Sequence, residues 1–336
     1  MPSAPKNRSK LIFLIFLLLV VAVAHVAIGG SSVPSSELIN ALFFKNDVQL
    51  VWQQIVWDLR VPRMLTALLA GASLSLAGLQ MQTLFRNPLA GPDVLGLTAG
   101  AGLGVGICIF LGISFSFFIP LMSLFAFGGA FLVFILILPM TRYIKDQTAL
   151  LLIGVMISAL GSALLGILQF TSGSDELQSY VLWTFGSLGS TTYYELFILL
   201  AGLILGIILA FANTKNMNAW PLGDAYLKNL AIPVKRARLL MIVSASILTG
   251  ITTAYCGPIA FVGLSTPLLV RNWFRDFNHE NLIVASCLCG SIVLIVCDLS
   301  THLFSAHVAI PINVATSLLG APVVIFFIVR LKKISI

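Results

Sequence analysis

Hydrophobic positions in this 336-residue chain come in long unbroken runs, not in alternation with polar ones. Ten runs stand out, at about 11–29, 62–82, 94–112, 115–138, 148–170, 193–212, 237–256, 258–272, 281–299 and 313–330. Most approach 20 residues, which at about 1.5 Å per helical residue crosses a hydrocarbon layer of about 30 Å. Membrane barrel strands instead alternate lipid-facing and lumen-facing residues over about ten positions. The pattern therefore predicts an all-α polytopic membrane protein of about ten transmembrane helices, forming one domain over residues 1–336.

The breaks between runs carry the remaining pattern. "LFRNPLAGPDVLGLTAGAG" (84–102) packs helix breakers between two runs. Asn87-Pro88 is expected to stop the second helix, and Gly91-Pro92-Asp93 to start the third with an N-terminal proline. Gly96, Gly100 and Gly104, with Gly102 and Gly106, form small-xxx-small rows suited to close helix approach. Residues 48–59 place Val48, Val51, Trp52, Ile55, Val56 and Leu59 on one helical stripe, which predicts an interfacial amphipathic helix ending where Pro62 begins the next. Residues 213–238 form the longest connection, in which Asp224 is expected to cap a short helix with Tyr226, Leu227 and Leu230 on one face. That face suits either lipid or a partner's groove. An apolar piece within 171–190 is too short to span and reads as a half-helix or a lid. "CGPIAFVGLSTPLLVR" (256–271) interrupts a span with two prolines and two glycines, and such breaks mark transport pathways.

Composition confirms the class: 59% of residues are hydrophobic and 9% charged, against about 25% charged in soluble domains. The net charge of +7 is a topology signal and does not point to nucleic acid. Ten spans leave both termini on one side, and sixteen of the nineteen Lys and Arg residues fall there. Only Lys45, Arg60 and Arg63 lie opposite, so the termini are expected in the cytoplasm. Residues 11–29 follow "KNRSK", but the run exceeds the usual signal-peptide core of about 7–15 residues and lacks a good cleavage site, so a retained helix is expected. Cys108, Cys256, Cys287, Cys289 and Cys297 are scattered through apolar segments and read as packing residues.

Ionisable chemistry inside the runs is sparse. His25, Glu195, Asp298, His302 and His307 sit near run ends. There is no HExxH motif, no Ser/His/Asp set and no G-x-x-x-x-G-K-[ST] loop. Neither a membrane-embedded enzyme nor a proton-coupled carrier is favoured, and any ATP would be bound by another chain. Arg60 and Arg63, on the cation-poor side, suit either lipid-headgroup anchoring or docking of an acidic partner.

Taken in order, "LRVPR" (59–63), "GASLSLAGLQMQTLFRNPLAGPDVLGLTAGAGLG" (71–104), "WTFGSL" (183–188), "LGDAYLKNLAI" (222–232), "GPIAFVGLSTPLLVR" (257–271), "CDLSTHLF" (297–304) and "IPINVATSLLGAPV" (310–323) resemble the FecCD/BtuC-type permeases of ABC importers. Those importers take up iron–siderophore complexes, haem or vitamin B12. The resemblance covers about 55–330. It implies a type II importer fold in the bacterial inner membrane, a second permease subunit in a homo- or heterodimer, two cytoplasmic ABC ATPases carrying ATP and Mg, and an external solute-binding protein. No cofactor is expected on this chain itself. By the same resemblance, Arg60, Arg63 and His302 would meet the binding protein. Leu222, Gly223, Asp224, Tyr226, Leu227 and Leu230 would form the ATPase-coupling helix. Asn87, Leu89 and Thr148 would form the cytoplasmic gate, and Ser158, Ser162 and Gln169 would line the path. A ferric siderophore is the first expected substrate, with haem or cobalamin as alternatives and an ion-coupled secondary transporter as the rival class. The chain departs from the family's usual residues at Leu268, at His302 and across Ala309–Asn313.

Overall fold

The structure is a computed structural model describing residues 4–29, 34, 37–38, 40–41, 50–112, 121–144, 146–229, 233–274, 278–304 and 310–334. Among these the regular structure is helical. The helices are α1 (Ala4–Ala27), α2 (Leu50–Leu84), α3 (Leu97–Phe110), α4 (Leu121–Tyr143), α5 (Gln147–Thr171), α6 (Ser174–Thr184), α7 (Tyr193–Ala212), α8 (Thr214–Ala219), α9 (Asp224–Asn229), α10 (Val234–Cys256), α11 (Val262–Phe274), α12 (His279–Phe304) and α13 (Ile312–Ile334). Seven of them (α1, α2, α4, α5, α7, α10 and α12) are long and apolar enough to cross a membrane. The other three predicted spans correspond to α3, α11 and α13.

The centre of the bundle is α2, packed against α7, α10, α11 and α12. Its most apolar stretch is 83% buried, against 11% for α5. Lipid and leucine are equally apolar, so helices in a bilayer associate through close packing of small residues. A β-carbon at Gly78 would lie 1.6 Å from the Gly263 carbonyl oxygen, and one at Gly71 would lie 2.3 Å from that of Gly290. Those contacts bring α11 and α12 to backbone distance from α2. The glycine row expected in α3 does the same against α4, where Gly100 and Gly104 face Gly129 and Phe125.

Four expectations need correction. Pro62 does not begin a helix, because α2 runs through it from Leu50. A proline in mid-helix lacks an N–H and crowds the carbonyl four residues earlier. Here residues Ile55–Arg60 widen into a π turn, with the Val61 N–H bonded to the Val56 carbonyl. The widened turn also breaks the expected stripe: Val56 is buried, whereas Val51 and Leu59 are exposed. Second, α2 ends at Leu84, before Asn87-Pro88. Asn87 N–H bonds to the Gln82 carbonyl and Arg86 N–H to that of Thr83, with Arg86 at φ +47°. This is a Schellman end with arginine where glycine is usual. Third, Pro92 opens only a 3-10 turn, Pro92–Leu95, and α3 starts at Leu97 after Gly96 at φ +76°. Fourth, the predicted 258–272 span starts later. Residues 257–261 leave helical form, with Gly257 at φ +72° and Phe261 at φ +65°.

That last break is satisfied by the start of α13 and the loop after α6, as a broken helix at membrane depth requires. Asn313 Nδ2 donates to the Thr184 carbonyl at 3.3 Å, while its Oδ1 accepts from the Ala260 N–H at 3.2 Å. The Ser187 N–H bonds to the Cys256 carbonyl at 2.9 Å. The apolar piece within 171–190 is the short helix α6, whose buried Tyr180 packs on Phe110.

Candidate functional site

Functional residues gather at the two ends of the bundle and along α5. At one end, Asp298 near the C-terminus of α12 is fully buried. Arg63 of α2 meets it with both prongs, Nε to Oδ2 at 2.8 Å and Nη2 to Oδ1 at 2.7 Å. His25 Nε2 from α1 lies 2.8 Å from Oδ2, and His302 Nε2 lies 3.7 Å from the same oxygen. A fork-to-fork arginine–carboxylate pair is a strong form of ion pair, and here it ties three helices together. Arg60 turns the other way: at 6% exposure, its Nη1 donates to the Val26 and Ala27 carbonyls, closing the C-terminus of α1. Of the three residues expected to dock a binding protein, Arg63 and His302 therefore share one cluster. Arg60 is buried beside it.

The donor atoms of His25, Asp298 and His302 lie within 4.8 Å of one another, a spacing that could hold a metal. Arg63, however, takes both carboxylate oxygens and places a guanidinium charge against any cation. The chemistry of the cluster is that of a compensated ion pair. Glu195, also flagged from sequence, has a local role: its Oε2 accepts from the Thr192 N–H at 2.6 Å in a capping box that starts α7.

The opposite end carries the expected coupling segment. Trp220 is fully buried, and its Nε1 donates to the Leu84 carbonyl at 3.0 Å. Arg86 Nε donates back to the Trp220 carbonyl at 2.9 Å, with the guanidinium 5.8 Å above the indole ring. This clamp fixes the 220–222 turn to the end of α2. Gly223, at φ +92°, then re-aims the chain into α9, a conformation open chiefly to glycine. Asp224 is the first residue of that helix, one position inside the cap expected of it, since the Gly223 carbonyl accepts the first helical bond, from the Leu227 N–H. Leu227 is completely buried while Tyr226 is 50% and Leu222 59% exposed. The expected common face of Tyr226 and Leu227 is thus corrected: adjacent helical residues diverge by about 100°, and the core claimed Leu227. Leu230 lies outside the described residues.

Near this end, Asn87 closes a tight turn by accepting from the Leu89 N–H at 2.9 Å, which leaves Leu89 40% exposed. Thr148 sits in the first turn of α5, its N–H held by the capping carboxylate of Asp146 at 3.3 Å. The 3-10 turn that follows the gate segment packs on α5, where a β-carbon at Gly154 would meet the Val94 carbonyl. Among the described residues, no hydrogen bond joins Asn87 or Leu89 to Thr148. Along α5, Ser158 donates to the Gly154 carbonyl at 2.9 Å and sits against Gly96, whereas Ser162 is exposed and Gln169 half-buried.

The hub, Asp298, is not among the site residues the sequence points to, although it stands at the end of an apolar run. Only His302, four residues on, is a local partner; Arg63 and His25 lie 235 and 273 positions away. Arg271 was likewise counted only as a topology charge, yet its Nη2 donates to Thr83 Oγ1 at 2.9 Å beside the Arg86 clamp.

The FecCD transport family model matches residues 16–330. The chain is 32% identical to the hemin transport system permease HmuU of Yersinia pestis over 333 residues, covering 97% of each. It is also 32% identical to the molybdate import permease MolB of Haemophilus influenzae over 334 residues, covering 98% of each. An inward-facing putative metal-chelate type ABC transporter superposes with a TM-score of 0.83 at 29% identity, covering 97% of this chain and 99% of that one. The central α2, the broken 257–261 segment and the short α9 are thus parts of a known membrane architecture, and the chain belongs to the FecCD family of ABC transporter permeases.

Proposed function

We propose that the chain is one of two permease subunits in an ATP-driven importer that receives an iron complex, first of all a ferric siderophore, from an external solute-binding protein. The observation that carries this reading is α5. It is long and apolar enough to cross a membrane, yet only 11% of its most apolar stretch is buried by the rest of the chain. Such a helix has few residues enclosed by its own chain, and leaves Leu152, Met156, Leu160, Leu164 and Ile167 exposed. A second permease subunit facing it would enclose a path lined by Ser162 and Gln169, with Ser158 behind. Few charges along that lining would let a bulky complex pass without being trapped.

In this reading the Asp298 end faces outward and the Arg271 end the cytoplasm, as the distribution of Lys and Arg supports. Arg63 and His302 would receive acidic groups of the binding protein, and Arg60 would join them only by leaving the α1 carbonyls. Asn87, Leu89 and Thr148 would close the inner mouth. Leu222 and Tyr226 would be the surface pressed by the ATPase, which holds ATP and Mg, while Leu227 transmits the push to the core. Alternating access then follows as a rocking of two permeases around the path. Haem is the second reading, favoured by the similarity to HmuU. The equal similarity to a molybdate permease shows that overall identity does not choose the cargo.

The test is reconstitution of the chain with its ATPase and binding protein in liposomes. Ferric siderophores, haem, cobalamin and molybdate are supplied one at a time. Uptake that requires both ATP and the binding protein is expected, with a ferric siderophore as the best substrate. Uptake by the chain alone, driven by an ion gradient, would sink the proposal.

A further inference from the structure

The short helix α6 follows α5 in the chain but is fastened elsewhere. Between the two helices the backbone is extended, with Ser172 at φ −90° and ψ 163° and Gly173 at φ −78° and ψ 171°. The middle of α6 rests on α3, where Tyr180 packs on Phe110 and a β-carbon at Gly102 would lie 3.1 Å from the Tyr180 hydroxyl. Its C-terminal end is held by α13. Carbonyls at a helix end have no partner within the helix. Here the Thr184 carbonyl accepts from Asn313 Nδ2 at 3.3 Å, and the Phe185 carbonyl from the Asn313 N–H at 3.1 Å. Asn313 Oδ1 accepts in turn from the Ala260 N–H at 3.2 Å, inside the break between α10 and α11. One side chain therefore closes the end of α6 and a gap in the broken segment together.

Backbone crowds around this junction. A β-carbon at Gly257 would lie 3.0 Å from Gly186 Cα, and one at Gly320 of α13 would lie 2.5 Å from Phe261 Cβ. Gly186, Gly257 and Phe261 have φ of +72°, +72° and +65°. For phenylalanine that conformation is strained, and it persists only where the surroundings impose it. Close-packed interiors of this kind do not deform smoothly; they move as units between discrete arrangements. The Ser187 N–H, bonded to the Cys256 carbonyl at 2.9 Å, adds a further tie between the α6 end and the break.

We propose that Asn313 is a positioning residue for transport: it makes α6 move with α11 and α13 as one body, with the hinge to α5 at Ser172-Gly173. The inference rests on the importer reading above. In that reading α6 stands at the outer end of the path that α5 lines. Asn313 then sets the outer mouth from α13, while α5 shifts beneath it. Asn313 is also one of the positions at which the chain departs from its family's usual residues. Its two side-chain bonds reach groups that its main chain does not.

The experiment uses the full chain with its ATPase and binding protein, in nanodiscs for distances and in liposomes for uptake. Spin labels on Leu182→Cys in α6 and Leu318→Cys in α13 occupy exposed positions. Cys287→Ala and Cys289→Ala remove the two half-buried native thiols. One narrow distance is expected, the same without nucleotide and with ATP trapped, and Asn313→Ala should broaden it. In liposomes Asn313→Ala should hydrolyse about tenfold more ATP per substrate carried, the scale of one or two lost buried hydrogen bonds. The concentration of loaded binding protein giving half-maximal uptake should not change. A merely structural loss lowers the amount of active transporter and leaves the ATP-to-substrate ratio alone. Asn313→Asp keeps an acceptor for Ala260 but loses the donor to Thr184, so it should be uncoupled like Asn313→Ala. The distance in the chain with Asn313 intact decides the matter even where the variants do not fold. A Leu182–Leu318 distance that shifts between the two states overturns the inference, as does a wild-type ATP-to-substrate ratio in Asn313→Ala or Asn313→Asp. If wild-type uptake needs neither ATP nor binding protein, the importer reading fails, and the same label pair, read with and without substrate, still tests the one-body motion.

Discussion

At the Asp298 end, charge is buried and compensated: Asp298 is inaccessible, Arg63 grips both its oxygens, and His25 and Arg60 are folded inward with it. At the Arg271 end, Arg86 and Arg271 line an open cleft, and large apolar side chains at Leu222 and Tyr226 face outward. The first arrangement spends its charges on joining α1, α2 and α12. Among the described residues, the second leaves the Arg271 Nε–H and the Gln82 Oε1 without partners and keeps large apolar side chains exposed. The difference teaches where the chain is complete by itself and where it is built to be completed, and it separates residues whose loss should unfold the protein from residues whose loss should uncouple it.

Four changes test that contrast, from the largest expected effect on stability to the smallest. Asp298→Asn should be the most damaging, at about 3–5 kcal/mol, because it strands a partly buried arginine. Thermal unfolding in detergent reads it. Replacing the pair together, as Arg63→Met with Asp298→Leu, should recover most of that loss; a double variant as unstable as the single one would show that the pair is not the source. Asn313→Ala should cost about 1–3 kcal/mol, since it leaves the Ala260 N–H and the Thr184 carbonyl without this partner. The same unfolding assay checks it, and limited proteolysis should then cut within 257–261. Arg60→Met should cost about 1 kcal/mol through the lost closure of α1, with hydrogen exchange faster at residues 24–27. Leu222→Ser with Tyr226→Ala should shift stability by only about 0.5 kcal/mol or less, as expected for exposed positions. In the assembled importer that double variant should nevertheless abolish ATP-driven uptake. Normal uptake in it, or a large loss of stability, would reverse the contrast between the two ends.

Much of the architecture could be read from the runs. The positions of the apolar helices, the close approach of the glycine row in α3 and the interruption near 257 all follow from composition and local chemistry. The misreadings have a common cause. Pro62 was read by its usual preference for a helix start, but tertiary packing keeps α2 continuous and a π turn absorbs the misfit. Asn87-Pro88 carries the expected stop signal, yet the residue just before it, Arg86, makes the turn in a conformation that its clamp on Trp220 holds in place. Tyr226 and Leu227 were given one face because α9 alone does not say which way the core lies.

The sequence by itself determined the solvent of this protein and the order of its apolar segments. Those properties depend on hydrophobicity summed over about 20 neighbours, and a bilayer enforces them segment by segment. Only the tertiary structure decided what each charge does. Arg60 and Arg63 stand three residues apart, yet one closes α1 and the other meets Asp298, 235 positions away. Asp298 and Arg271 lie on neighbouring helices, yet the first is ion-paired with Arg63 while the second keeps a buried Nε–H without a partner among the described residues. Pairing depends on which helix ends pack together, and that follows from backbone contacts such as Gly78 with Gly263 and Gly71 with Gly290. Such contacts join residues nearly two hundred or more positions apart, so no local pattern in the chain records them.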